Sequence, residues 1–422
     1  MSDTLKPRTL VQLAEDILAG AKSLESHLES SPTFQNDTIA TLPPEHQHIR
    51  KSLIDATSEM NALVRGASGP HGRIFNMSYS FLDQLALQAI CHFGIPKAVP
   101  PNGGITFAAL AEKCNGITEA QVTRLVRHAM NIHLFHEPHK GYIVHTADTA
   151  LLARDSTMSA LVLNLTEVLR PASLKVTEAI KQWPGSEEPN HTGWQLAYGT
   201  EKLMYETIKE DEAVQKRFSA HMEHIAKQDP RTGERFAAMY PWDKSPQATV
   251  VDIAGGNGQY SVALAQAYPD MKFVVQDVPG VSEAGRENLP AELRGRIKFT
   301  EHDMFKPQPV EGADIYFLRH VLHNWSDGYC VRILKALVPA LKPGARVLIC
   351  ELVIPEKESA PAVEVTEIRR LDMLMWSLYN ARERDAMEFA DMLKVADRRF
   401  EFVAGHGLEG GHDKICEAIW RG

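Results

Sequence analysis

The chain has 422 residues, 44% hydrophobic and 23% charged, with a formal net charge of −9. That length accommodates two or three domains with a sizeable core, and the acidic balance argues against a nucleic-acid binder held by phosphate contacts, which wants a basic face. No apolar run approaches the roughly 18 residues that span a bilayer, and the opening MSDTLKPRTLVQLAED lacks the apolar stretch of a secretory signal.

Residues 1–65 read as a polar, mostly helical arm, broken near Ser31-Pro32 and Pro43-Pro44. Gly66, Gly69, Pro70 and Gly72 mark the next boundary. Residues 66–240 are helix-rich. Leu82, Leu85, Ala86, Ala89 and Ile90 follow the i, i+3, i+4 stripe of an amphipathic helix that Gly94 and Pro96 stop. Thr106 opens the short helix FAALAEKC. Thr118 and Gln121 form a capping box ahead of QVTRLVRHAM. LFHEPHKGYIVHT then gives two extended runs around Lys140-Gly141. Helix, turn, helix, hairpin is a winged-helix pattern. Its functional reading is DNA binding through Arg124, Arg127 and His128; its structural reading, favoured by the acidic chain, is a protein-docking scaffold.

From 241 to 422 the texture alternates. TVVDI, KFVVQD, IKFTEHD, ADIYFLR and RVLICELVI read as strands separated by helices, and FEFVAG with DKICEAIW as a terminal hairpin. This predicts an α/β fold with a parallel, doubly wound sheet. The five cysteines (Cys91, Cys114, Cys330, Cys350, Cys416) show no CxxC or zinc-ligand spacing, so they read as reduced, buried thiols of a cytoplasmic protein. Asn36-Asp37-Thr38 is accordingly a chance glycosylation match.

The first strand runs into Ala254-Gly255-Gly256-Asn257-Gly258, and Asp277 ends the second strand 19 residues after Gly258. Such a turn lets a ligand approach the backbone, and the carboxylate is placed to accept both hydroxyls of a ribose. A dinucleotide fold wants GxGxxG, whereas Ser261 stands where the third glycine belongs. S-adenosylmethionine has no pyrophosphate and tolerates a looser turn, which favours it over NAD. Asp303 and Met304, at the third strand tip, suit an adenine amino group and ring face.

VVDIAGGNG, FVVQDVPGV, HDMF, LRHVLHNWSD and ICELVIPE occur in the order seen in plant and fungal small-molecule O-methyltransferases. The chain resembles that family, of the caffeic acid and sterigmatocystin type. The resemblance implies a Rossmann-like methyltransferase sheet preceded by a winged-helix-like dimerisation and substrate-capping domain. It implies S-adenosyl-L-methionine as methyl donor, S-adenosyl-L-homocysteine as product, and no metal, because a sulfonium already carries a good leaving group. Ala254, Gly255, Gly256 and Gly258 would wrap the methionine part, Asp277 the ribose, Asp303 and Met304 the adenine. Arg319 stands where the family has a lysine whose backbone carbonyl faces the cofactor, so the side-chain change would matter little. His323 stands at the general base, with Glu351 and Glu383 orienting it; His320 would face the structure or the cofactor wall. Ala254 replaces a glycine, and Asn324 replaces an aspartate beside the base.

By the same resemblance Met204, Tyr205, Trp325 and Leu374 line the acceptor pocket, with Met373 and Trp376 on the same helix as Leu374. Such a lining suits a flat aromatic acceptor, a phenolic polyketide in class. The partners implied are this small molecule and a second copy of the chain in a homodimer, with no nucleic acid and no membrane. The alternative is a methyltransferase-like pericyclase that binds S-adenosylmethionine without transferring its methyl; the presence of His323, Glu351 and Glu383 favours methylation.

Overall fold

The computed structural model describes residues 8–227, 232–356, 359–408 and 413–422. The chain forms two compact units. One comprises the residues up to Arg170 with Ile208–Ile225 and Pro361–Val363; the other comprises Pro171–Thr207, Ala226–Ala360 and Glu364–Gly422. The units cut across the textural region 66–240. Part of the reason is aromatic: Phe236, Tyr240 and Trp242 pack into the core beside Phe273 and Phe317, so the segment before the first sheet strand belongs with the sheet.

The first unit begins with the helix Leu10–Glu25, opened by a Thr9–Gln12 capping box, followed by Gln47–Arg65 and Arg73–His92. In the last of these Ala86 and Ile90 are buried as expected, but Leu85 lies outside the stripe at 46% exposure. The helices Phe107–Lys113 and Glu119–Met130 follow, the latter started by the expected Thr118–Gln121 box. Strands β1 (Ile105–Thr106), β2 (His136–His139) and β3 (Tyr142–Val144) form a small sheet in the order β1-β3-β2. This is the winged-helix arrangement. Arg127, on its second helix, makes two hydrogen bonds to Glu137 at 3.0 and 2.8 Å and lies over the Phe107 ring. His128 contacts Asp83 at 3.0 Å. Side chains committed to their own unit in this way favour the scaffold reading over contacts with DNA.

The second unit is built on seven strands: β4 (Thr249–Ile253), β5 (Lys272–Asp277), β6 (Ile297–Glu301), β7 (Ile315–Arg319), β8 (Arg346–Leu352), β9 (Phe400–Gly407) and β10 (Asp413–Trp420). Their order is β6-β5-β4-β7-β8-β10-β9. The first five are parallel, and β10 pairs antiparallel with both β8 and β9. The central strands are apolar runs because both faces are covered; Val250, Val251, Ile315, Phe317 and Val347 are all buried. Edge strand β9 instead alternates inward and outward residues. The order in which strands are laid down reverses between β4 and β7, which is where open α/β sheets form a crevice at their carboxyl ends. Among the described residues no helix is long and apolar enough to cross a membrane.

Phe317 is 1% exposed and lies 5.5 Å from the Phe236 ring and 6.2 Å from Trp242. Phe317→Ala is expected to cost about 3–5 kcal/mol in urea unfolding followed by tryptophan fluorescence; a loss below about 1 kcal/mol would remove this ring from the anchors of the core.

Candidate active site

The glycine turn leaves β4 through three left-handed residues, Ala254 (φ 54°), Gly256 (φ 57°) and Gly258 (φ 70°). Glycine adopts this region freely; an alanine there is strained by roughly 1 kcal/mol or more. Gly255 is demanded for another reason: a Cβ would lie 2.5 Å from Cγ of Asp252. Asp252 itself is 3% exposed, and Ser261 donates to its Oδ2 at 2.6 Å. Burial pushes the Asp252 carboxyl up to about 6, against the hydrogen bond from Ser261 and the charge of Arg319. The serine that breaks the dinucleotide pattern therefore has a structural task beneath the turn.

Asp277 stands at the tip of β5. Its Oδ2 accepts the Gly256 N–H at 2.9 Å and its Oδ1 the Val278 N–H at 2.8 Å. A carboxylate has about four lone-pair sites, so about two remain for a vicinal diol. Ser282 donates to the Gly256 carbonyl, and Asn257 Oδ1 accepts the Gly285 N–H, pinning the turn from its far side. The His302 N–H donates to the Asp277 carbonyl at 2.9 Å, which sets Asp303 and Met304 beside Asp277. Asp303 Oδ1 accepts the Phe305 N–H, and Met304 is half-buried against the core. The residues expected to hold a nucleoside sulfonium are thus gathered at the ends of adjacent strands, with unspent acceptor capacity on Asp277.

Strand β7 ends at Arg319, and His320 turns the chain with φ 50°. A single 3-10 turn, Leu322–Asn324, carries His323. His323 Nδ1 lies 2.9 Å from Glu383 Oε1, with the two side chains 13% and 1% exposed. Burial works against the charged imidazole, but Glu351, the Glu383 hydrogen bond and Asp413 outweigh it and raise the His323 pKa above 6.5. With Nδ1–H donated to Glu383, the Nε2 lone pair is the basic one.

Glu351, expected with Glu383 to orient the imidazole, engages the backbone of the turn that carries it. It is fully buried, and its Oε1 accepts the Val321 and Leu322 N–H groups at 2.9 and 2.8 Å. It holds the turn that carries the histidine and reaches the ring only through its charge, because its place on β8 lies under the backbone of that turn. The Arg319 side chain is also engaged. Nη2 meets Asp413 Oδ2 at 2.8 Å, and the guanidinium lies 3.9 Å from the centroid of Tyr260. His320 Nε2 meets the other oxygen of Asp413 at 2.9 Å. Despite burial, these partners hold the Asp413 carboxyl well below the usual range. Asn324 closes the turn by donating to the His320 carbonyl.

The acceptor candidates fall in separate places. Met204 is buried, and the Tyr379 hydroxyl donates to its Sδ at 3.4 Å. Tyr205 stacks on the same Tyr379, with centroids 5.6 Å apart. Trp325 instead packs edge-on against Phe305 at 4.7 Å and stacks on Tyr329. Leu374 is half-buried, its carbonyl accepting from Ser377. A cavity of about 560 Å³ is lined by Met373, Trp376, Asp372, Arg382 and Glu383 among others, and by none of these four. Asp413 carries no distinguishing mark in the sequence, where a buried charge looks like a surface one; Arg384 is hinted at only by its place next to Glu383, and Asp252 by its place inside the apolar strand TVVDI.

Residues 178–398 match the model of the O-methyltransferase domain family. A chlorophenol O-methyltransferase of Trichoderma longibrachiatum is 35% identical, across 97% of this chain and 90% of its own. Among solved structures, the mitomycin 7-O-methyltransferase MmcR is 26% identical with a TM-score of 0.68, covering 82% of this chain and 96% of its own. A pericyclic reaction enzyme has a TM-score of 0.73 over 97% of this chain and 100% of its own; at 20% identity that likeness is one of fold.

The two small residues at the head of the turn should respond differently. Gly255→Ala drives a Cβ into Asp252 and should lower the melting midpoint by several degrees. Ala254→Gly relieves a left-handed alanine while loosening the unfolded chain, so its midpoint should stay close to wild type. Equal losses in both would contradict the packing described.

Proposed function

The chain belongs to the S-adenosylmethionine-dependent O-methyltransferases, and on that premise we propose that it methylates a phenolic hydroxyl of an aromatic secondary metabolite, polyketide in class, with His323 as general base. The observation that carries this reading is the buried His323–Glu383 pair just beyond the end of β7. A chlorophenol-methylating relative supports the phenolic class.

When bound, S-adenosylmethionine supplies a methyl group on a sulfonium, a good leaving group. Ala254–Gly258, Asp277, Asp303 and Met304 would hold it. A phenol near pKa 10 and an imidazole near 6.5 differ by about 3.5 units, or about 5 kcal/mol, so full deprotonation before attack is uphill. The raised pKa of His323 narrows that gap. As the new O–C bond forms, the oxygen becomes acidic, and its proton passes to His323 Nε2. Glu383 keeps the ring in the tautomer that leaves Nε2 free, and both buried carboxylates stabilise the imidazolium. Met204, Tyr205 and Tyr379 form a sulfur and aromatic cluster suited to the flat ring, and Met373 and Trp376 a second.

The test is transfer of labelled methyl from S-adenosylmethionine to a panel of phenolic polyketides, with a divalent-metal chelator present. His323→Ala should lower kcat by roughly 10²–10⁴-fold. Substrate consumed without label would sink the methyl-transfer reading for that substrate. In wild type, kcat/KM should fall as pH drops through a value above 6.5, because the charged ring cannot accept a proton. An acid limb below 6.5 would contradict the role given to the carboxylates.

We further propose that the chain forms a homodimer through its first unit. The helix Arg73–His92 exposes Ile74, Phe75, Met77, Tyr79 and Phe81, with Met77 at 73%, a clustering of exposed apolar side chains within eight residues that suits an interaction surface. Light scattering should report a dimer for wild type and a shift towards monomer for Phe75→Asp with Met77→Asp; a wild-type monomer at micromolar concentration would refute it.

A further inference from the structure

We propose that Arg384 is a positioning residue for His323, fixing the base-bearing turn in register with Glu383; this deepens the reading above and rests on His323 being the base. Arg384 is 1% exposed, in a chain whose other arginine next to Glu383, Arg382, stays at the surface with a 43% exposed side chain. Its guanidinium is spread over the turn. Nη1 donates to the Leu322 carbonyl at 3.1 Å and Nη2 to the Trp325 carbonyl at 2.8 Å, one on each side of His323. Nη1 also donates to the Arg382 carbonyl, on the other flank of Glu383, at 3.1 Å. Nε and Nη2 reach Asp327 Oδ1 at 2.8 and 2.7 Å. One rigid fork therefore binds the segment carrying the histidine to the segment carrying its carboxylate.

The arrangement complements that of Glu351. The turn Val321–Trp325 is closed by the Asn324 N–H on the Val321 carbonyl and the Trp325 N–H on the Leu322 carbonyl, and its remaining groups need partners from outside it. Glu351 takes two N–H groups from it, and Arg384 gives to two carbonyls. The backbone is thereby clamped by a buried anion on its donors and a buried cation on its acceptors. Arg384 is itself fixed by pairing with the extension of β8: Arg384 bridges to Val353, and its carbonyl accepts the Ile354 N–H at 2.9 Å. A buried guanidinium is expensive unless its donors are satisfied. Here they are satisfied by the atoms that set where His323 points. Lysine has no planar fork and cannot reach three carbonyls and a carboxylate together. A displacement of the order of 1 Å at such a site is worth about 10²-fold in rate.

The experiment compares wild type, Arg384→Ala, Arg384→Lys, Asp327→Asn and His323→Ala for kcat, KM, the pH dependence of kcat/KM, cofactor affinity by calorimetry and melting midpoint. Expected for Arg384→Ala is a loss of about 10²-fold in kcat with cofactor affinity within about twofold. Its acid limb should move down towards 6.5 as the Glu383 contact loosens, and added guanidinium should restore at least about tenfold of the rate by refilling the hole. Arg384→Lys should recover little. A folded Arg384→Ala with wild-type kcat and an unmoved acid limb overturns the proposal. Should that variant fail to fold, Asp327→Asn decides, because Asp327 is half-exposed and its change loosens the anchor of the fork, with only the longer contact to the surface residue Arg382 besides. A kcat loss of about threefold or more with a shifted limb supports the clamp, and wild-type values overturn it. His323→Ala separates the two readings. Full activity there removes the base itself, whereas an inactive His323→Ala beside a wild-type-like Arg384→Ala removes only the clamp.

Discussion

The hydrogen bond between His323 and Glu383 places a titratable ring and a carboxylate where little water reaches either. Everything around the pair follows from what that costs. An isolated buried carboxylate is unfavourable by several kcal/mol, and a second one, Glu351, lies fully buried nearby. Each charge has a local partner: the imidazole for Glu383, two amides for Glu351, carbonyls and Asp327 for Arg384, and Arg319 and His320 for Asp413. The second oxygens of Glu351 and Glu383 are buried without a hydrogen bond among the described residues. A network of this sort stabilises one arrangement strongly, since loss of any member leaves another unpaired. That rigidity suits the role proposed for His323, which would have to meet an oxygen at a fixed distance while a methyl group moves in line.

The sheet supplies the dry floor on which this network stands. Strands β7 and β8 are largely apolar, and their carboxyl ends deliver Arg319, the base turn and Glu351 to one edge. The reversal of strand order between β4 and β7 opens the crevice at that same edge. The glycine turn meets the same problem as the base turn, a tight backbone with unsatisfied groups, and solves it with Asp252, Ser261, Asp277 and Ser282. In both turns buried carboxylates define the backbone while a neighbouring group is left to face a ligand. The antiparallel hairpin β9–β10 also reaches the site, since Asp413, the first residue of β10, binds both Arg319 and His320.

Much of this is legible without coordinates. The central parallel strands show as largely apolar runs, the capping box at Thr118–Gln121 starts its helix where expected, and the terminal hairpin forms from the residues that suggest it. His323 and Glu383, brought together by the family resemblance, meet at 2.9 Å. The role of Glu351 is less legible. A motif gives which residue is present, but whether its carboxylate reaches a ring or two amides depends on differences of a few ångströms. Arg319 defeats the motif for a related reason: the partner that makes its side chain matter, Asp413, is 94 residues away along the chain. Trp325 stands two residues after His323, and the resemblance places it in the acceptor pocket. Its ring turns instead towards Phe305 and Tyr329, because the helix beginning at Asp327 redirects the chain at that point.

The sequence by itself determined the periodicities, the glycine turn, the carboxylates at strand tips and the histidine beyond β7, because these depend on neighbours along the chain or on recurring local geometry. Tertiary structure alone decided which charges are buried and what each one touches. Arg382 and Arg384 are two residues apart and chemically identical. One stays at the surface and the other, sealed in the interior, grips the carbonyls on both sides of His323. The difference lies in packing between segments about 60 residues apart, where desolvation makes every unmet hydrogen bond costly and so selects a single arrangement.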